Sequence, residues 1–256
     1  MMEKNVHRFD GLAQQYANYR EPYAPEVLLP RLRDWCGLTP EWTIADIGAG
    51  TGMLGDVFLA NDNRVIAVEP NSGMRTMCAE LHAGDTRLEI VDGTSETTGL
   101  ADHSVEMIVV GRALHWFDVP RAMAEFRRIL KPDGWVAVVA FGRSHTGREE
   151  NTAFEQLLRE RAVDKVDMRV ALAIYESVGD HIPRDFHHEE IRDTMAFGWD
   201  ELLGMALSLS PAPRVGDERY PQFVEGLREY FARYAVDGAV TVDTRYWINA
   251  GRFNVA

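Results

Sequence analysis

The chain has 256 residues and a formal net charge of −13, and a surface this acidic argues against a nucleic-acid partner, because phosphate backbones require a basic one. No apolar run approaches the ~20 residues of a membrane helix, and the amino terminus lacks the apolar segment of a secretion signal. Cys36 and Cys78 are too few for a disulfide framework. We therefore expect a soluble, cytoplasmic protein whose partner is a small molecule, with no membrane partner.

Residues 40–142 alternate between strand-like and helix-like segments. The helix-like segments follow "IGAGTGML", "VEP" and "RALHWFD", and the last ends at Pro132 and Gly134. Ser72 is the expected N-cap of the second helix, and Gly84 its expected stop. Strands separated by helices indicate right-handed crossovers and a parallel sheet with helices on both faces. The strand-like runs are 42–48, 64–70, 87–93, 104–113 and 135–142.

The flanking segments have a different pattern. Two short helices are expected within 9–36, broken at "REPYAP" because two close prolines do not fit inside one helix. After residue 143 come helix-like segments at 148–175, 199–210 and 220–235, a weakly alternating run at 189–197, and a final period-two segment at 239–253. We expect one domain over 1–256, with a core sheet from 40–142 and 190–256 and a cover from 1–36 and 143–189.

The glycines of "ADIGAGTGMLG" directly follow the first strand. Ligands of open parallel sheets bind at the carboxyl ends of the strands. The dinucleotide-binding fingerprint G-x-G-x-x-G would require a glycine at position 53, where this chain has Met53. The Gly-Lys-Ser/Thr sequence of a phosphate-binding loop is also absent. Glu69 ends the second strand, where a carboxylate accepts both hydroxyls of a ribose. The pattern favours a nucleoside cofactor without a requirement for phosphate binding.

The segments "ADIGAGTG", "VIAVEPNSGM", "VDGTSE", "IVVGRALHWFD" and "RILKPDGWVAVVAF" closely resemble the class I S-adenosylmethionine-dependent methyltransferases, in particular a small-molecule, methyltransferase type 11-like group. The resemblance covers roughly residues 7–142. It implies an α/β, Rossmann-like three-layer αβα fold. The implied sheet is mostly parallel and seven-stranded, with an antiparallel last strand. The implied cofactor is S-adenosylmethionine and the implied product S-adenosylhomocysteine.

The same resemblance implies a role for each matching residue. Asp46 orients the glycine turn and the methionine amine, Glu69 takes the ribose hydroxyls, and the amino-terminal helix closes over the cofactor carboxylate. Tyr19 and Trp116 are expected on the acceptor side, with His115 as the catalytic candidate. The full set implied to bind the cofactor is Tyr16, Arg20, Asp46, Gly48, Ala49, Gly50, Gly52, Glu69, Pro70, Met74, Gly93, Thr94, Ser95, Gly111, Arg112 and Ala113.

Thr94 departs from the family pattern, in which many relatives carry an aspartate that receives the adenine amine. Asp92 lies two residues earlier, so on an extended strand end it points the same way as Thr94. Either residue is a candidate for the adenine contact.

Methyl transfer mainly requires placement of a nucleophile about 3–3.5 Å from the methyl carbon, and a base only if the acceptor must lose a proton. His115 is either that base or a structural histidine. The guanidinium of Arg112 is a candidate to bind an acidic acceptor or the cofactor carboxylate, or to form a surface ion pair. No metal is expected, because His187 and His188 would point to opposite faces of one strand.

The sequence predicts methylation of a small molecule, including the possibility of an acidic or biosynthetic metabolite, at an undetermined oxygen, nitrogen or carbon atom, by a monomer or homodimer. Two alternatives are a protein that binds S-adenosylmethionine for other chemistry and a nicotinamide-dependent oxidoreductase. Met53 and the lack of a Tyr-x-x-x-Lys pair disfavour the oxidoreductase.

Overall fold

A seven-stranded sheet forms the centre of the protein in a computed structural model that describes residues 9–163 and 174–254. The strand order is β3-β2-β1-β4-β5-β7-β6, with β1 to β5 parallel and β7 antiparallel to both neighbours. The predicted Rossmann-like sheet with an antiparallel last strand is confirmed. The strands are β1 Thr43–Ile47, β2 Arg64–Val68, β3 Leu88–Val91, β4 Val105–Gly111, β5 Leu130–Arg143, β6 Arg184–Phe197 and β7 Val240–Arg252.

Helices cover both faces of this sheet, because the central parallel strands are apolar on both sides. One face packs against α2 and α3 through residues such as Leu32 and Phe58, and the other against α5 through Phe126. The helices are α1 Ala13–Tyr19, α2 Pro25–Cys36, α3 Gly55–Leu59, α4 Ser72–Leu81, α5 Val119–Ile129, α6 Glu149–Arg161, α7 Val178–His181, α8 Trp199–Ser208 and α9 Tyr220–Tyr234. A 3-10 turn spans Leu114–Trp116.

A separate apolar cluster joins three helices of the carboxyl-terminal half. Phe154 of α6, Leu202 of α8 and Phe223 of α9 are each fully buried there, together with the start of β7. These helices form a cover beside the carboxyl end of β5. None of the helices in the described ranges is long and apolar enough to cross a membrane.

Several element boundaries differ from the predicted ones. The predicted N-cap at Ser72 is wrong, because the Asn71 side chain accepts the hydrogen bond from the Met74 amide that caps α4. Helix α5 ends at Ile129, before Pro132, because the backbone turns directly into β5. Strand β6 begins at Arg184, so part of the predicted cover belongs to the sheet. The predicted helix over 148–175 is observed at Glu149–Arg161, and its continuation at 164–173 lies outside the described residues.

Helix α1 packs against α4 and α8. The break predicted at "REPYAP" is present, since Arg20 already has an extended conformation with φ −78° and ψ 139°. The chain then runs extended to Pro25, the first residue of α2. Helix α1 therefore lies across the edge of the sheet where the glycine turn is found.

Candidate functional site

A cleft opens at the carboxyl ends of β1, β2 and β4, where the sequence predicts the cofactor. It holds about 770 Å³ of empty space, including its open mouth. Because β1 lies between β2 and β4, this edge brings together segments that are distant in the chain. The lining residues are Phe9, Tyr16, Gly48, Gly50, Glu69, Pro70, Met74, Thr94, Ser95, Glu96, Gly111, Arg112, Ala113, Trp116 and Phe117.

The glycine turn after β1 forms the floor of the cleft. Gly48, Gly50 and Gly52 all have positive φ, which side chains disfavour. The Gly48 amide donates to the Val68 carbonyl oxygen at 2.8 Å, which fixes the turn to the end of β2. A Cβ on Gly50 would have no protein atom within 4 Å. That position therefore projects into the open cleft, as a backbone that must approach a ligand requires.

Glu69 is fixed in the cleft by two backbone amides. Its Oε2 accepts from the Gly50 amide at 2.9 Å and its Oε1 from the Asn71 amide at 2.8 Å. Burial raises the pKa of this carboxyl group, against the lowering effect of those hydrogen bonds. Each oxygen retains acceptor capacity, since a carboxylate offers about four lone-pair sites. The group can thus accept two ligand hydroxyls, as expected for a ribose.

The structure separates the two candidates for the adenine contact. Asp92 is exposed and forms an ion pair with Arg75 at 2.8 Å, outside the cleft lining. Thr94 and Ser95 line the cleft instead, and so does Glu96, whose Oε1 accepts from the Asp118 amide at 2.9 Å.

Four further predicted cofactor residues lie behind the lining of the cleft. Asp46 Oδ2 accepts from the Gly55 amide at 3.1 Å, and its Oδ1 has no hydrogen-bond partner among the described residues. Burial raises the pKa of Asp46 to about 7. Ala49, Gly52 and Gly93 are packed, and a Cβ on Gly52 would lie 2.7 Å from the His82 ring. These residues shape the turn rather than line the cleft.

A second cavity adjoins the cleft beyond the carboxyl end of β5. It holds about 1060 Å³ of empty space, again including its mouth. Phe9, Tyr16, Arg112 and Trp116 line both spaces and form the wall between them. The α6, α8 and α9 cover closes its far side through residues such as Leu158 and Ser208.

His115 lines the second cavity and not the cleft. Its Nδ1 lies 3.2 Å from the Tyr175 hydroxyl, and its ring packs against Trp116 at 4.4 Å between centroids. Burial, reinforced by nearby Arg20, lowers the pKa of His115 to about 4. The imidazole is therefore neutral at pH 7, and it can accept a hydrogen bond although it is a weak base.

Arg112 is a fixed part of the wall between the two spaces. Its Nη1 donates to the Glu21 backbone oxygen at 3.0 Å and lies 3.4 Å from the Glu21 carboxylate. Its guanidinium also lies over the Tyr23 ring, and its φ of 54° is unusual for a residue with a side chain. Burial alone would raise the pKa of Glu21, but Arg20 and Arg112 outweigh burial and lower it. The surface ion pair left open by the sequence is instead a buried one.

Of the three amino-terminal residues expected at the site, Tyr16 and Arg20 lie together at the second cavity, but Tyr19 does not. Tyr16 lines both spaces and Arg20 the second cavity alone. The structure does not bring Tyr19 to either space, because its ring packs directly on Gly204 of α8. Arg20 stays beside Tyr16 although α1 ends at Tyr19, and its guanidinium lies 5.3 Å from the centre of the Tyr16 ring.

Sequence reasoning missed several lining residues. Phe9 and Phe117 flank predicted motifs, and a scan for aromatic residues next to them would have found both. Tyr175, Arg143, His145 and Arg245 come from the weakly patterned half of the chain, and no local signal marks them. Of the two histidines that the sequence analysis rejected as a metal pair, His187 stacks on Trp35 and His188 contacts Asn249. Within 9–163 and 174–254, no three His, Cys, Asp or Glu side chains group as a metal site.

Comparison with known proteins finds similarity over the central part of the chain. Residues 45–138 match the family described as "Methyltransferase domain". An uncharacterized methyltransferase of Mycobacterium bovis is 32% identical over 131 residues, which is 51% of this chain and 51% of that protein. The chain thus spans about half the length of the curated relatives it matches. Over residues 45–138 the chain is therefore similar to S-adenosylmethionine-dependent methyltransferase domains of the type 11 group.

Solved structures share the fold. A putative type II methyltransferase from Anaeromyxobacter dehalogenans superposes with a TM-score of 0.62 at 22% identity, covering 91% of this chain and 98% of that one. A phosphoethanolamine N-methyltransferase of Haemonchus contortus, in complex with phosphomonomethylethanolamine and S-adenosylhomocysteine, superposes at 0.51 with 15% identity, covering 98% of this chain and 58% of that one. At these identities the likeness concerns the fold.

Proposed function

We propose that this protein transfers a methyl group from S-adenosylmethionine, bound in the cleft, to a small-molecule acceptor bound in the second cavity. The observation that carries the proposal is the shared wall. The cleft and the second cavity meet at Phe9, Tyr16, Arg112 and Trp116. Methyl transfer requires such an arrangement, because the donor and the acceptor must be in contact.

The residues present fit the cofactor. The Gly50 position is open toward the cleft, Glu69 has acceptor capacity for two hydroxyls, and Met74 and Pro70 offer an apolar surface for a purine. Asp46 lies behind the lining and holds the turn through the Gly55 amide, so its contribution to cofactor binding is indirect. When bound, S-adenosylmethionine supplies an electrophilic methyl group on a sulfonium.

The protein's own contribution is placement and exclusion of water. Tyr16, Trp116 and Phe9 surround the junction of the two spaces with aromatic surface, and Phe9 packs edge-on against both of the others. Neutral His115 can orient an acceptor through a hydrogen bond. A histidine with a pKa of about 4 is poorly matched to deprotonating an acceptor at pH 7.

The test combines binding and turnover. We expect S-adenosylhomocysteine to bind the purified protein in calorimetry, and Glu69→Gln to weaken binding ten- to a hundredfold, because charge-assisted hydrogen bonds contribute about 1.5–3 kcal/mol. Asp92→Asn is the matched control, because Asp92 lies outside the cleft. This variant should bind S-adenosylhomocysteine with the affinity of the wild type.

Incubation with methyl-labelled S-adenosylmethionine and a panel of small acceptors, followed by mass spectrometry, then tests transfer. A labelled product from the wild type that Glu69→Gln forms at least tenfold more slowly supports the proposal. Equal affinity of Glu69→Gln and wild type would contradict the cofactor site, and binding without transfer to any acceptor would contradict the reaction.

A further inference from the structure

The second cavity is lined by an excess of positive charge, in a chain whose net charge is −13. Among its described lining residues, the arginines are Arg20, Arg112, Arg143 and Arg245, and the acid is Glu21. Arg112 is already committed to Glu21, and Arg20 lies beside the wall of the cofactor cleft. Arg143 and Arg245 lie on β5 and β7, away from that wall.

Arg143 is buried and incompletely bonded. Its side chain is 7% exposed, its Nη2 forms an ion pair with Glu155 at 2.5 Å, and its Nε has no partner among the described residues. The same Glu155 oxygen lies 3.0 Å from His145 Nδ1, so this carboxylate is close to both side chains. Burial alone would raise the pKa of Glu155, but Arg143 and His145 outweigh it and lower it to about 2.

Arg245 is also weakly neutralised. The carboxylate of Glu190 lies 4.0 Å from its Nη1, and Glu190 Oε2 accepts a shorter bond, 2.7 Å, from Trp247 Nε1. Glu190 additionally accepts from Arg192 at 2.7 Å. The Arg245 guanidinium stacks on the Trp247 ring at 3.9 Å, which holds it at the cavity wall without using its hydrogen-bond donors.

We propose that the methyl acceptor is a small organic acid bound in the second cavity by Arg143 and Arg245, whose side chains approach the cavity from opposite faces of the β5–β7 pair; this rests on the proposed function. A guanidinium presents planar donors that match a carboxylate, and a buried one with a free N–H is stabilised by an anionic ligand. Phe141, Tyr175 and Trp247 line the same cavity and provide apolar surface for the rest of such a molecule. A neutral acceptor would offer Arg245 no anionic partner closer than the Glu190 carboxylate at 4.0 Å.

The experiment uses the full-length protein saturated with S-adenosylhomocysteine. The probes are mono- and dicarboxylic acids of three to eight carbons, each paired with its carboxamide, and the readouts are thermal shift and calorimetry. We expect at least one acid to raise the Tm while its amide does not. We also expect Arg245→Gln to weaken that acid's binding at least tenfold while S-adenosylhomocysteine affinity stays within twofold of wild type.

Arg192→Gln is the matched control. Arg192 pairs with Arg245 across β6 and β7, but its side chain is 82% exposed and outside the cavity lining. Arg192→Gln should bind the acid as the wild type does. Arg143→Gln is the second variant. It removes the positive charge that is paired with the buried Glu155 carboxylate, so circular dichroism is needed to show that the variant folds.

The outcomes separate the two claims. If S-adenosylhomocysteine binds but no acid shifts the Tm, if acids and amides bind equally, or if Arg245→Gln binds the acid normally, the acid-binding proposal is overturned. If S-adenosylhomocysteine itself does not bind, the proposed function fails first. With methyl-labelled S-adenosylmethionine, an acid should be methylated at least ten times faster than its amide.

Discussion

Gly48, Gly50 and Gly52 form one turn, but a side chain would meet different surroundings at each. A Cβ on Gly48 would lie 2.8 Å from the Ala113 Cβ, and one on Gly52 would meet His82 and Cys78. One on Gly50 would enter open space in the cleft. A substitution at Gly48 or Gly52 would therefore disturb packing within the protein, whereas one at Gly50 would obstruct the approach of a ligand.

We expect Gly50→Val to abolish measurable S-adenosylhomocysteine binding while the protein remains folded. The positive φ of 61° adds a backbone cost of about 1–2 kcal/mol, which a folded domain tolerates, and the new side chain occupies the cleft. Calorimetry and circular dichroism measure the two effects. Gly84→Val is the control, because Gly84 has a φ of 94° and open surroundings in the loop after α4. Loss of binding in both variants would show a general backbone effect.

His82 supports the glycine turn from below. Its Nε2 lies 2.6 Å from Asp56 Oδ1, and its Nδ1 lies 2.7 Å from the Cys78 carbonyl oxygen. The hydrogen bond to Asp56 is the largest cause that raises the pKa of His82 to about 10. The charged imidazolium therefore joins α3 to α4 under the turn.

This pair predicts a pH-dependent stability. Because the pKa is raised from 6.5 in the unfolded chain to about 10 in the folded protein, the stabilisation is complete below pH 6.5 and is lost as pH rises through about 10. Asp56 is more than half exposed, so we expect His82→Gln to cost only about 1 kcal/mol at pH 6 and less near pH 10. Urea unfolding at both pH values measures this. A cost that is constant or grows with pH would contradict it, and a double-mutant cycle with Asp56→Asn isolates the pair.

At the scale of elements, α1 is the part that connects the cofactor side to the cover. Its Tyr16 lines both spaces, while its Tyr19 packs on Gly204 of α8. The sequence predicts that residues 1–24 close over the cofactor, and that expectation applies here to α1. The contact between Tyr19 and Gly204 joins α1 to α8, so a movement of α1 over the cofactor would be coupled to the cover through this contact.

We expect Gly204→Ala to loosen α1 without unfolding the protein. A Cβ at Gly204 would overlap the Tyr19 ring, so the ring must leave its present position on α8 and α1 loses this contact. Hydrogen exchange should be faster over 13–19 in the variant, and cofactor should protect this segment less than in the wild type. Gly198→Ala is the control, because its Cβ would have ordinary contacts at the start of the same helix. Unchanged exchange in Gly204→Ala would show that this contact does not hold α1.

At the scale of the whole molecule, the last strand connects the two halves of the chain. β7 lies between β5 and β6 and pairs with both over most of its length. Its Tyr246 hydroxyl accepts from the Ala24 amide at 2.7 Å, which ties the end of the chain to its beginning. We propose that the chain is one cooperative unit, as the sequence predicts.

Urea unfolding followed by tryptophan fluorescence and by far-ultraviolet circular dichroism tests this. The six tryptophans are spread over both halves, so the two transitions should coincide within error. Separate midpoints would show that the α6, α8 and α9 cover unfolds independently of the parallel sheet.

Local patterns in the sequence determined the parallel sheet, the glycine turn and the position of Glu69 at the cleft, because strand periodicity, chain punctuation and the rule that parallel strands end at one edge require no knowledge of distant contacts. The positions of Met74 and Thr94 at the cleft were implied by the resemblance to known methyltransferases. The tertiary structure alone decided that Tyr19 packs on Gly204, that Arg112 is buried against Glu21, and that Arg143 and Arg245 share a cavity. Those contacts join residues between about 90 and 190 positions apart in the chain, several of them on a cover with weak periodicity. Such pairings depend on how the helices of the cover pack against the sheet, which no local pattern encodes.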